Sequence, residues 1–292
     1  MGDVDHPAVP SAAAPHPPFA PGRRTPQIVA HRGASTEAPE HTYAAYVAAL
    51  EAEADALECD VRLTADGHLV CVHDRRVDRT SDGTGKVSSL ELARLQELDF
   101  GSWYESQEEA KEGEEPDREA RGVLTLRTLL DLVATQPRPV ELAIEVKHPT
   151  RYAGKVERSL VALLDEFGWV SRRHGQPSPV RVMSFSASAV RRVRRLAPGL
   201  RTVFLMEPLV YRARGGVLPS GVPIAGPSIE ILRTRPEAVR RWQRSGHPVH
   251  VWTVDEPEDF ELCLSLGVDA VITNRPRAMR EALSVHVPSP AD

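Results

Sequence analysis

Short apolar runs that end in acids and bases constrain this chain more than any other feature. Residues 27–30 lead into His31-Arg32, and residues 56–63 contain Glu58 and Asp60. Residues 69–72 lead into His73-Asp74, and residues 142–146 contain Glu145 and run into Lys147. Each run reads as a β-strand. Successive strand residues point to opposite faces, so Glu58 and Asp60 share one, as do Glu145 and Lys147. A solvated charged face would not interrupt runs of Val, Ile and Leu. Several strands are delivering acids and bases to one place.

Further apolar, β-branched runs fall at 180–183, 202–205, 222–225, 249–254 and 270–273. Helix-like segments at 42–54, 126–134, 156–167, 186–196, 236–245 and 257–266 separate most of them. That alternation implies a parallel sheet with helices outside. One pair breaks it. Only Thr64-Ala65-Asp66-Gly67-His68 joins the second and third runs, and a parallel crossover needs about a dozen residues. Asp66-Gly67 signals a two-residue hairpin turn, which would set Asp60 opposite His73. With 69–72 as an antiparallel arm, the remaining strands predict an α/β fold, a (β/α)8 TIM barrel, over residues 27–283. Such a barrel takes about 250 residues and carries its functional groups at the C-terminal strand ends. His31, Glu58, Asp60, Glu145, Ser184 and Trp252 all lie at or near such ends.

Net charge is −5, and residues 105–121, with eight acids against three bases, account for all of it. This charged insertion lies on the side of the predicted site and reads as a mobile loop rather than a lid. The rest is electrically neutral, which excludes an electrostatic footprint for nucleic acid. Arg191, Arg192, Arg194 and Arg195 alternate with apolar residues at helical spacing and read as the wet face of an amphipathic helix. Cys59, Cys71 and Cys263 match no metal or redox spacing and read as reduced, buried thiols of a cytoplasmic protein. No apolar stretch of about 20 residues is present to serve as a transmembrane segment. Residues 1–26, with seven prolines, read as a disordered tail, and residues 284–292 as a second one.

Glu58, Asp60 and Glu145 cannot share a barrel mouth without positive charge between them. Lys147 and Arg32 supply some. All-oxygen ligation suits a hard divalent cation, Mg²⁺ or Ca²⁺, better than zinc. A metal-free carboxylate–cation network is the alternative. His31 and His73 are candidates for general base and general acid work. Arg32 and Lys147 fit an anion held against the metal. Together these groups suit phosphoester hydrolysis better than glycoside hydrolysis, which needs no cationic clamp. Asp82-Gly83-Thr84-Gly85-Lys86 lacks P-loop spacing and reads as a turn-rich loop.

These residues closely resemble the glycerophosphodiester phosphodiesterase family. The resemblance rests on His31-Arg32-Gly33 followed by Pro39-Glu40-His41-Thr42, and on Glu58-Cys59-Asp60-Val61 with His73-Asp74. It continues through Arg79-Thr80-Ser81-Asp82-Gly83, Thr125-Leu126, Glu145-Val146-Lys147 and Ser184-Phe185. Trp252-Thr253-Val254 and Thr273-Asn274-Arg275-Pro276 complete the series in family order. The resemblance implies a barrel with a divalent-metal site at Glu58, Asp60 and Glu145, supported by Glu40. It implies acid–base roles for His31 and His73, phosphate contacts from Arg32 and Lys147, and Trp252 lining a glycerol pocket. The implied reaction converts a glycerophosphodiester and water into sn-glycerol 3-phosphate and an alcohol. A lysophospholipase D using the same residues, or a barrel that binds phosphodiesters without turnover, are the rival expectations. His41 departs from the family pattern, which has Asn at that place.

Overall fold

A computed structural model describes residues 25–105, 121–148, 154–170, 177–208, 216–219 and 221–286. Most of residues 105–121 and of both expected tails lies outside the described residues. A nine-stranded sheet dominates. Its parallel strands are β1 (Gln27–His31), β2 (Ala56–Leu63), β4 (Glu141–Val146), β5 (Val180–Ser184), β6 (Arg201–Met206), β7 (Ile224–Pro227), β8 (His250–Val251) and β9 (Ala270–Thr273). They follow the order β7-β6-β5-β4-β2-β1-β9-β8. Between β7 and β8 the gap is spanned by parallel bridges at Ala225–Val249 and Ser228–Trp252. The result is a nearly closed (β/α)8 barrel.

Both faces of the sheet are buried, which is why its strands read as continuous apolar runs. One face carries Ala30, Leu57, Cys59, Leu142, Ile144 and Val182, packed with Tyr46, Leu126, Leu130 and Leu160 of the surrounding helices. Residues offset by one, including Val29, Ala56, Ala143, Met183, Val203, Ile224 and Ile272, fill the barrel interior as a separate apolar cluster. Two positions further along β1, β2 and β4 the interior turns polar. Val29 gives way to His31, Ala56 to Glu58, and Ala143 to Glu145. The opposite end is plugged by fully buried Arg181, whose Nη1 donates to Glu141 at 2.7 Å. The apolar layer therefore isolates the charged mouth from that plug.

The short arm β3 (Leu69–Cys71) pairs antiparallel with β2, but not in the expected register. Val61 faces Cys71 and Leu63 faces Leu69, so Val72 rather than His73 stands opposite Asp60, and Val72 N donates to Asp60 O at 3.0 Å. The loop is longer than a two-residue turn. Thr64 N donates to His68 O at 2.9 Å, Thr64 Oγ1 to Asp66 at 2.5 Å, and His68 N to Thr64 Oγ1 at 2.9 Å. Gly67 takes φ +97° in this loop, and three residues now separate the Thr64–His68 pair. His73 reaches the mouth because the chain leaves the arm after Cys71. Strand β8 is also shorter than expected, because Trp252 N turns to Pro227 O at 3.2 Å.

The turn after β1 positions the first site residues. Gly33 sits at φ +89°, and a Cβ there would lie 2.6 Å from the Ala45 backbone of helix α1 (Tyr43–Glu51). Ala34 N donates to Ala45 O at 2.8 Å across the same contact. Thr42 caps the helix by accepting from Ala45 N at 3.3 Å. Replacing Gly33 by Ala is expected to cost about 2–4 kcal/mol from strain and overlap. Thermal melts of Gly33→Ala should therefore shift down by about 5–15 °C; a wild-type melt would contradict this packing.

Candidate active site

Glu58, Asp60 and Glu145 converge at the mouth, each offering an oxygen within 4.8 Å of the others. They are 2 %, 1 % and 6 % exposed, so their charges meet almost without water. Burial, then the neighbouring Asp60 charge, pushes the Glu145 carboxyl up to about 7. The same two causes drive Glu58 well above the carboxylate range. For Asp60 burial acts upward too, but Lys147, His41 and Arg32 outweigh it and hold the group well below its ordinary value.

The cations reach this cluster from two strand ends. Lys147 Nζ lies 2.9 Å from Asp60 Oδ1 and 2.9 Å from Glu145 Oε2. Arg32 sits at φ +60°, an uncommon conformation for a bulky residue. It aims its backbone N–H at Glu58 Oε2, 3.0 Å away, while its Nε stays 3.2 Å from Asp60 Oδ2. Glu40 does not join the carboxylate cluster. It accepts from Arg32 Nη1 at 3.0 Å and from both Arg79 Nη atoms at 2.8–2.9 Å. Glu40 thus bears on the cluster through Arg32.

Two carboxyls pushed toward protonation by burial and by a third acid form a site short of positive charge. A hard divalent cation is the group that such an all-oxygen donor set accommodates. The residues present fit one.

Both predicted histidines face the same cavity of about 100 Å³, along with Arg32, Glu58, Glu145 and Lys147. Each is fixed through Nδ1. The amide of Asn274 is oriented by Asp255, to which its Nδ2 donates at 2.6 Å, so Oδ1 faces His31 Nδ1 at 2.7 Å. That oxygen can only accept, so His31 carries its proton on Nδ1 and leaves Nε2 as a lone pair. His73 Nδ1 lies 2.7 Å from Asp74 Oδ1, and Arg79 Nε holds the other Asp74 oxygen at 2.6 Å. Burial, then Arg32, lowers His31 to about 3; burial also lowers His73, against the pull of Asp60.

The cavity's other wall is apolar. Phe185 and Trp252 meet edge to face at 5.3 Å, beside Met183 and Leu205. Trp252 Nε1 donates to Gly226 O at 2.8 Å, which fixes the indole.

All the sequence-predicted residues are thus near one mouth, with Asp60 beneath the cavity and Glu40 behind Arg32. Sequence reasoning passed over Asp255 and Tyr46. Asp255 follows a strand-like run in the same manner as the other acids, and that signal was available. Tyr46 falls within the helix-like segment 42–54, and nothing local distinguishes it.

The Asn274 contact gives a measurable tautomer. Nitrogen–proton correlation spectra of histidine-labelled protein should show His31 protonated only at Nδ1 from neutral pH down to about pH 5. A proton on Nε2, or a charged ring in that range, would contradict the assignment.

Comparison with known proteins agrees with this geometry. The model of the glycerophosphoryl diester phosphodiesterase family matches residues 31–278. A Mycobacterium tuberculosis protein named "Probable glycerophosphodiester phosphodiesterase 1" is 47% identical over 251 residues, covering 86% of this chain and 90% of the relative. The glycerophosphodiester phosphodiesterase of Bacillus subtilis is 34% identical over 252 residues, covering 85% and 83%. A solved structure of an Oleispira antarctica phosphodiesterase, in complex with its product sn-glycerol-3-phosphate, superposes with a TM-score of 0.70 at 23% identity, covering 89% and 97%. By sequence over almost its whole described length, and by its barrel, the chain belongs to the glycerophosphoryl diester phosphodiesterase family.

Proposed function

We propose that this hydrolase of glycerophosphodiesters works through Glu58, Asp60 and Glu145 as ligands of one Mg²⁺ or Ca²⁺, with His31 as base and His73 as acid. The observation that carries the reading is the pair of imidazoles, each anchored at Nδ1, facing one cavity lined also by Glu58, Glu145 and both cations. A bound cation would polarise the phosphate and favour ionisation of the nucleophile. Arg32 and Lys147 bind the phosphate oxygens and offset the charge that develops on them. Trp252 and Phe185 receive the apolar face of the glycerol moiety.

The split of roles follows from the two anchors. His31 is kept neutral by burial and by the adjacent Arg32, while the Asn274 amide holds its proton at Nδ1, so its Nε2 accepts the nucleophile's proton. His73 is backed by the anionic Asp74, which favours an imidazolium at the moment of leaving-group protonation. The nucleophile is water or the neighbouring glycerol hydroxyl, and either loses its proton to the same Nε2; the hydroxyl route expels the alcohol to leave a cyclic glycerol phosphate, whose ring a water then opens to the monoester. The products are sn-glycerol 3-phosphate and an alcohol, which supports a role in glycerol and lipid metabolism.

A cavity of about 100 Å³ suits a glycerol moiety, whereas the acyl chain of a lysolipid would lie outside it. A barrel that binds without turnover would have no use for two histidines oriented toward the same space. Among the described residues no helix is long and apolar enough to cross a membrane. Cys59, Cys71 and Cys263 are buried free thiols, which supports a reducing, cytoplasmic setting.

Leaving-group chemistry tests the roles. On glycerophosphocholine, His31→Ala and His73→Ala should each lose about 10²–10⁴ in kcat. On a glycerophospho-4-nitrophenyl ester, whose leaving group needs no proton, His73→Ala should recover most of its loss while His31→Ala should not. Equal losses by His73→Ala on both substrates would remove it as the acid.

A further inference from the structure

Beneath the cavity lies a buried strut that the proposed chemistry does not use. His41 occupies φ +62°, a left-handed conformation in which His is among the enriched residue types. Its backbone N–H donates to Arg32 O at 3.0 Å, so the same turn carries both residues. The ring is 5 % exposed and engaged at both ends. Nε2 lies 3.0 Å from Asp60 Oδ2, and Nδ1 lies 2.9 Å from the Tyr46 hydroxyl. Tyr46 is fully buried on α1, and its hydroxyl also reaches Glu58 O at 3.1 Å. The strut thus touches the side chain of one acid on β2 and the backbone of another.

The two oxygens of Asp60 face different partners. Oδ2 meets His41 and, at 3.2 Å, Arg32 Nε. Oδ1 pairs with Lys147 Nζ at 2.9 Å, on the side of Glu145. Of the two Oδ2 partners, Arg32 is divided among Asp60, Glu40 and Glu58 and is partly exposed. His41 is clamped. A carboxylate only accepts, so Nε2 carries the proton, and the ring is braced from behind by Tyr46.

We propose that His41 is a positioning residue for the cation: braced by Tyr46, it holds Asp60 Oδ2 and so keeps Oδ1 turned toward Glu58 and Glu145. The inference rests on the reading of these acids as a cation site. It adds that cation affinity is set partly by helix α1, through a residue that touches neither substrate nor ion. Loss of the imidazole frees Asp60 to rotate onto Arg32, and the three oxygens no longer converge. Groups that orient a metal ligand are commonly worth about 10–100-fold in affinity.

Calorimetric titration of the full chain with CaCl₂ and with MgCl₂ separates the possibilities, each variant being melted in parallel. His41→Ala should weaken cation binding by about tenfold or more. His41→Asn, which keeps a donor toward Asp60 but loses the reach to Tyr46, should recover part of that loss. Tyr46→Phe, which removes only the brace, should weaken binding less than His41→Ala. A merely structural role would lower the melting temperature without this graded order. Wild-type affinity in His41→Ala overturns the proposal and leaves the cation site standing; if His41→Ala does not fold, wild-type affinity in Tyr46→Phe overturns it equally. A wild-type chain that binds neither ion refutes the cation site itself.

Discussion

Three carboxylates held almost out of water within 4.8 Å of one another are the constraint around which the rest of the structure is arranged. In an interior of low dielectric, unpaired like charges at that spacing are costly enough that such groups take up protons or acquire counter-charge. The chain does some of each. Glu58 and Glu145 are pushed toward protonation, while Asp60 is kept ionised by Lys147, His41 and Arg32. Arg32 adopts an uncommon backbone conformation to reach Glu58 with its N–H and Asp60 with its side chain. Glu40 and Arg79 then neutralise what lies behind Arg32. A divalent ion would complete this balance in a way that protein cations reaching from the rim do not.

The barrel makes such a cluster tolerable. Interior positions recur every second residue, so each strand supplies a wall residue and then a site residue with no change of direction. Val29 and Ala143 belong to the apolar interior, and His31 and Glu145 follow two positions on. The apolar layer excludes water from below, which strengthens every electrostatic contact above it. Loops after the strands then add the orienting groups. Asn274 and Asp255 fix His31 from the far side of the sequence, and Asp74 fixes His73 from the next residue.

How much of this was legible depended on range. The pattern of strands could be read because buried parallel strands are apolar throughout, and Ala56–Leu63 and Ala270–Thr273 have the bounds the sequence suggests. Charged residues punctuating those runs disclosed His31, Glu58, Asp60, Glu145 and Lys147. The hairpin register was not legible. Asp66-Gly67 predicts a two-residue turn, but Thr64 Oγ1 bonds both Asp66 and His68 and draws a third residue into the loop. A side-chain preference of one threonine moved the register by one residue and put Val72 opposite Asp60. The contacts that orient the site were hidden for another reason. Asn274 meets His31, and Tyr46 meets His41 and Glu58, through closure of the barrel and docking of a helix, and no local pattern encodes either.

The central claim is that the acids at the mouth hold a divalent cation without which the phosphodiester is not cleaved. Its most direct test is release of glycerol 3-phosphate from glycerophosphocholine by the full chain stripped with EDTA, then resupplied with Mg²⁺ or Ca²⁺. Activity that vanishes on stripping and returns with either ion is the predicted result. Undiminished release from chain shown by elemental analysis to carry no metal would contradict the account, and Lys147 and Arg32 would then be the whole of the positive charge the reaction needs.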